Sequence, residues 1–180
     1  MRINNLWAKA RCLLLAAAVC TGLAACSDDH KKNDTMTKDQ LMREAIRLSE
    51  ENVTNGGGPF GAVIARDGEI VATGVNRVTA NNDPTAHAEV SAIRAACERL
   101  NTFDLSGCEI YTSCEPCPMC LGAIYWAHID KIYYGNDKDD AKAIDFDDSF
   151  IYDELALPRG ERRLLSLIHI SEPTRHLRIS

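Results

Sequence analysis

The chain has 180 residues, 46% of them hydrophobic, which is enough for one globular core without disulfides or a metal as a condition of folding. Its formal net charge is -6, and residues 36–164 hold 13 Lys and Arg against 22 Asp and Glu with no basic stripe, excluding the electrostatic footprint of a nucleic-acid binder. Of the eight cysteines, Cys12, Cys20 and Cys26 lie in an apolar leader while Cys114, Cys117 and Cys120 crowd together, a spacing that suits a metal or thiol site better than a disulfide scaffold.

Arg2, Lys9 and Arg11 precede or border an apolar run over residues 12–19, and Leu23-Ala24-Ala25-Cys26 then gives way to Ser27-Asp28-Asp29. The run is too short to span a bilayer comfortably, and the pattern reads as a signal peptide of lipoprotein type over residues 1–26. Cys26 would carry the lipid, making the protein a membrane-anchored bacterial lipoprotein. A start at Met36, which opens directly onto a capped helix, would instead make it cytoplasmic. Residues 27–36 are a polar tether under either reading, because they lack the apolar residues of a packed element.

Thr37 with Gln40 forms a capping-box pattern, and Leu41, Ala45 and Leu48 recur at helical spacing, so a first helix is expected to about Asn52, ended by Gly56-Gly57-Gly58-Pro59. Residues 62–66 and 70–76 read as strands joined through Asp67-Gly68, a hairpin signal. The helical period returns over residues 86–100, a strand follows over 109–112, a helix over 118–126, and a short strand over 132–135. The acidic segment beyond it is expected to form a helical turn before an apolar stretch at 149–155. Helices alternating with strands, one hairpin among them, predict an α/β domain with a mixed sheet. Residues 165–175 spell LSLIHISEPTR, which reads as the translation of a sequencing-library adapter, so residues 165–180 are expected to be a non-native tail.

Catalytic zinc takes three protein ligands and leaves a fourth position for water. His87 opens one expected helix, and Cys117 and Cys120 open another, three residues apart, so both sulfurs share one side of its first turn. Helix N-termini directed at the metal would favour thiolate over thiol. Glu89, two residues beyond His87, has the reach of a general base outside the ligand set. Cys114 is the competing ligand, since Cys114-x-x-Cys117 has the same spacing, but it precedes the helix and is expected to be a packed thiol. Cys97 and Cys108 read as small buried groups. His-x-Glu followed by Pro-Cys-x-x-Cys is the signature of the zinc nucleobase deaminases.

Three longer stretches carry a closer likeness: Gly57-Gly58-Pro59-Phe60-Gly61-Ala62, then Asn82-Asp83-Pro84-Thr85-Ala86-His87-Ala88-Glu89, then the run from Tyr111 through Pro116-Cys117-Pro118-Met119-Cys120 to Trp126. With them, residues 37–163 resemble the bacterial guanine deaminases of the cytidine-deaminase-like superfamily, and Phe146-Asp147-Asp148-Ser149-Phe150-Ile151-Tyr152 separates that group from the tRNA adenosine deaminases. The resemblance implies a deaminase domain over 37–164 and a three-layer α/β/α sandwich around a mixed sheet of about five strands. One zinc ion per subunit would sit on His87, Cys117 and Cys120, with Glu89 moving protons. Asn76 would contact the purine base, Phe60 would pack on it, and Asp148 would recognise the guanine edge, a role for which an acceptor-only carboxylate is suited. Asp148 could instead cap the segment beginning at Ser149, and Asn76 could serve a turn. The resemblance further implies a homodimer in which a C-terminal segment covers the partner's site; this sequence departs from that pattern from Leu165 onward, a departure that would leave the pocket open to water and bears on whether this chain dimerises. Guanine deamination competes with another deaminase activity, on a cytosine-type base or tRNA adenosine, and with an inactive lipid-anchored zinc-binding protein. No nucleic-acid partner is expected of the acidic core.

Overall fold

Thr37 caps the first helix through both halves of the predicted box. The Gln40 N–H donates to the Thr37 hydroxyl at 3.3 Å, and the Thr37 N–H donates to the Gln40 side chain at 2.8 Å, pairing two donors that a helix start leaves open. The computed structural model describes residues 35–165. The chain divides into two units, residues 1–33 and 34–180, and every described residue falls in the second. The expected leader, the Cys26 anchor and the tail beyond Leu165 lie outside the described residues.

The elements run α1 (Lys38–Thr54), β1 (Gly61–Arg66), β2 (Glu69–Val75), α2 (Val78–Asn81), α3 (Ala88–Leu100), β3 (Glu109–Cys114), α4 (Pro118–Trp126), β4 (Lys131–Asn136), α5 (Lys138–Ala143) and α6 (Ser149–Ala156), then a 3-10 turn at Arg159–Glu161. β1 and β2 form the hairpin anticipated at Asp67-Gly68, where both residues take positive φ, 52° and 79°, as a type I′ turn requires. The sheet order is β2-β1-β3-β4; β1 is antiparallel to β2 and β3, and β3 is parallel to β4 across the α4 crossover. Among the described residues the sheet therefore has four strands where about five were expected. The acidic segment after β4 starts with the helical turn expected of it: Asp137 caps α5, accepting the N–H groups of Asp139 at 2.9 Å and Asp140 at 3.0 Å.

Strand alternation divides the core into two layers. Val63, Ala65 and Tyr111 meet Leu41 and Ala45 of α1 on one face. Ala62, Ile64 and Ile110 meet Ala88, Ala92 and Ala96 of α3 and Ile124 of α4 on the other, which gives the α/β/α sandwich. Burial on both faces is why β1 reads as an unbroken apolar run. A Cβ at Gly74 of β2 would collide with Ala88 O and Ala92 N, so β2 and α3 pack backbone against backbone and fix the start of α3 against the sheet. Among the described residues, no helix is long and apolar enough to cross a membrane.

Candidate metal centre and active site

His87 and Cys117 occupy equivalent posts. Each is the N-cap of its helix, α3 and α4 respectively, in extended backbone, and neither makes a side-chain capping bond. Pro118 at the first helical position presets the φ that turns the chain into α4. Cys120 follows within the first turn and is fully buried. The two helix starts converge, and the ligand atoms of His87, Cys117 and Cys120 all lie within 4.8 Å of one another.

The donor set can be tested against zinc by size as well as by chemistry. His87 Nδ1 lies 3.6 Å from Cys117 Sγ. A tetrahedral ion with Zn–N of about 2.0 Å and Zn–S of about 2.3 Å has an N–S edge of about 3.5 Å, close to the spacing found. One imidazole and two sulfurs form the three-ligand set that leaves a catalytic position open. The thiols are electrically unequal. Cys117 is held down to about 4, first by the hydrogen bond it receives from Cys120 and then, against the effect of burial, by that of His87. Cys120 is pushed up by the same bond to Cys117 and by burial. Bonding to Cys117 raises His87.

Glu89, only 7% exposed, sets its Oε2 3.3 Å from Cys120 Sγ, whose single proton is shared between this carboxylate and Cys117. Burial pushes its carboxyl above the ordinary range, which suits a group that must take up a proton and give it back. A cavity of about 710 Å³ opens in front of these residues, with His87, Glu89 and Cys117 in its wall together with Phe60, Asn76 and Asp148. All the site residues named from the sequence line it except Cys120, which is buried behind.

Asn76 does serve a turn, its Oδ1 accepting the Val78 N–H at 3.3 Å, but its amide Nδ2 has no protein partner among the described residues. Asn52, which sequence reasoning missed, donates through Nδ2 to Asn76 O and Gly58 O, both at 2.8 Å, and so pins the glycine-rich loop beside the cavity. Asp148 stands at the N-cap position of α6 without making a capping bond. Its neighbour Asp147 accepts the Ser149 N–H instead, at 2.9 Å. Burial, and then the charge of Cys117, raise the Asp148 carboxyl. Phe60 meets Phe146 edge-on, with ring centroids 5.0 Å apart and planes at 85°. Cys114 is buried and donates to Asp137 O at 3.5 Å, outside the ligand group; burial pushes its thiol up to about 11. Cys97 and Cys108 pack with the α3 layer.

Residues 35–136 match the cytidine and deoxycytidylate deaminase zinc-binding region. The chain belongs to that deaminase family. It is 54% identical to the guanine deaminase of Bacillus subtilis (strain 168) over 130 residues, 72% of this chain and 83% of that protein. A solved structure of guanine deaminase from Bacillus subtilis superposes with a TM-score of 0.73 at 51% identity, covering 76% of this chain and 88% of the other. The tRNA-specific adenosine deaminase of Aquifex aeolicus (strain VF5) is 42% identical over 99 residues, 55% of this chain and 66% of its own length. As in the zinc deaminase family, His87, Cys117 and Cys120 fit one zinc ion per subunit.

Proposed function

We propose that this deaminase hydrolyses guanine to xanthine and ammonia. The observation that carries the reading is Asp148: a carboxylate free of capping duty on the wall of the cavity that also holds His87, Cys117 and Glu89. Guanine presents N–H donors on the ring and on the amine at its reacting carbon, and a carboxylate offers only acceptors to them. The uncommitted Asn76 amide can donate to a ring acceptor, and Phe60 offers an aromatic wall. The 54% identity to a guanine deaminase supports the same substrate.

When bound to His87, Cys117 and Cys120, zinc supplies Lewis-acid activation of the attacking water. Glu89 takes a proton from that water and delivers it to the ring nitrogen as the C–O bond forms. It then takes the second proton, from the hydroxyl newly attached to the carbon, and passes it to the amine; the C–N bond breaks and ammonia leaves, so guanine and water give xanthine and ammonia. Asp148 and Asn76 orient the base, and Phe60 helps to exclude water from its face.

The tRNA reading is weaker on charge. Among the described residues, Glu115, Asp145, Asp147 and Asp148 line the cavity against one Lys or Arg, Lys138, and this acidic rim repels a phosphate backbone. Ammonia release should be measured with zinc-loaded protein on guanine, cytosine and an adenosine-bearing tRNA anticodon stem. The full chain should be compared with a version carrying the genomic sequence of the locus in place of residues 165–180. Turnover of guanine alone is the expected result; folded, zinc-loaded protein of both versions that leaves guanine unchanged overturns the reading.

A homodimer belongs to the same reading, supported by Tyr125 and Trp126 at the end of α4, exposed at 75% and 83%. Trp126→Glu should then yield monomer on size-exclusion chromatography. Residues 1–26 are read as a lipoprotein leader, so Cys26→Ala should abolish labelling by radioactive palmitate.

A further inference from the structure

α6 buries none of its residues. Asp148 at its head makes no capping bond, so its position over the cavity has to come from contacts made elsewhere in the segment. Two such contacts flank it. Two residues earlier, Phe146 sets its ring edge-to-face with Phe60, 5.0 Å between centroids. Phe60 is itself fixed, its carbonyl accepting the Asn76 N–H at 3.1 Å. Four residues later, one helical turn along and on the same face as Asp148, the Tyr152 hydroxyl donates to Pro116 O at 3.0 Å. Pro116 directly precedes the ligand Cys117, so this bond joins the helix carrying Asp148 to the loop carrying the metal.

We infer that Phe146 and Tyr152 are positioning residues that hold Asp148 in register with the metal loop, and that base specificity depends on both. The inference rests on the guanine reading of the site. The two contacts differ in kind, one apolar and directed at the glycine-rich loop, the other a hydrogen bond to the metal loop, so Asp148 is tied, through residues on either side of it in sequence, to two separate loops. Small displacements of an orienting group are costly to catalysis, because the reacting atoms must already be aligned when the substrate is bound. Sequence spacing does not reveal either contact, since Phe60 lies 86 residues from Phe146 and Pro116 lies 36 residues from Tyr152.

Tyr152→Phe removes one hydroxyl and keeps the ring. It should lower kcat/KM for guanine by about two- to tenfold, the range of a single lost hydrogen bond, with zinc content unchanged. Phe146→Leu should lower it similarly while keeping an apolar side chain. The deciding measurement is a double-mutant cycle: in an Asp148→Asn background both losses should vanish, because the group being positioned is gone, whereas a general structural role would leave them at full size. Wild-type kcat/KM in both single variants, or losses undiminished in the Asp148→Asn background, overturns the positioning role. A wild-type chain that leaves guanine unchanged overturns the guanine reading and, with it, the specificity assigned to these residues; an active wild type with unaffected variants overturns the positioning alone.

Discussion

Asp147 accepts both the backbone N–H and the hydroxyl of Ser149, and in doing so releases its neighbour Asp148 from the helix start. Two adjacent carboxylates thus divide two duties, and they should separate under mutation. Asp148→Asn keeps the shape but puts donors where the base presents donors. It should lower kcat/KM for guanine by about 10- to 100-fold, the scale of a lost hydrogen bond to a charged group, while zinc content and melting temperature stay unchanged. Steady-state kinetics with metal analysis on the same samples checks this.

Glu89→Gln should retain zinc and lose about 10²- to 10⁴-fold in kcat, the contribution of a positioned acid–base group. Its effect on stability has a sign fixed by burial. Because the folded protein raises the Glu89 carboxyl above its ordinary value of 4.5, ionisation of wild-type Glu89 disfavours the folded state. The wild type should therefore lose stability relative to Glu89→Gln as pH rises from about 4.5 through the higher folded value. Paired thermal melts of the metal-free proteins across that window give the comparison.

Removing zinc with a chelator should abolish activity and lower the melting temperature without unfolding the domain, because Leu41, Ile64, Ala92 and Ile110 pack the layers independently of the ligands. Circular dichroism before and after chelation reports this. Zinc affinity should also weaken on acidification. The bond to Cys117 and burial hold a proton on Cys120, and the metal must displace it. Competition against a chromophoric chelator at two pH values measures the trend.

Gly74→Ala should destabilise the domain by about 1–3 kcal/mol, since the added methyl meets the α3 backbone rather than a yielding side chain. As α3 starts at the same contact and carries His87 at its cap, zinc affinity should fall along with stability. Urea denaturation paired with zinc titration tests the coupling.

Features written in neighbouring residues were legible in the sequence. The Thr37 cap, the Asp67-Gly68 hairpin and the extent of α4 follow from local patterns, and the Cys117–Cys120 spacing needs only one helical turn. α2 was not legible: four residues are too few to show a helical period, and it closes at Asn82 in the left-handed conformation. The segment 137–148 was read no further than a helical turn, and the strand count came from likeness instead of from the residues. Asn52 carried no local mark of its role, and although Phe146 and Tyr152 lie in the stretch that carries the likeness to guanine deaminases, their contacts could not be read there because the partners are remote in the chain. Asn76 shows a different limit, since its turn bond engages the side-chain oxygen and leaves the amide nitrogen uncommitted.

The posts held by His87 and Cys117 are those where Ser, Thr, Asp or Asn would ordinarily stabilise a helix by about 1 kcal/mol. Catalysis and durability of the metal-free chain therefore compete for the same two positions. Exchanging either residue for serine would make the metal-free chain more robust at the cost of a zinc ligand. In the zinc-loaded chain the balance reverses, since the ion stabilises the fold through the same two residues that forgo the cap.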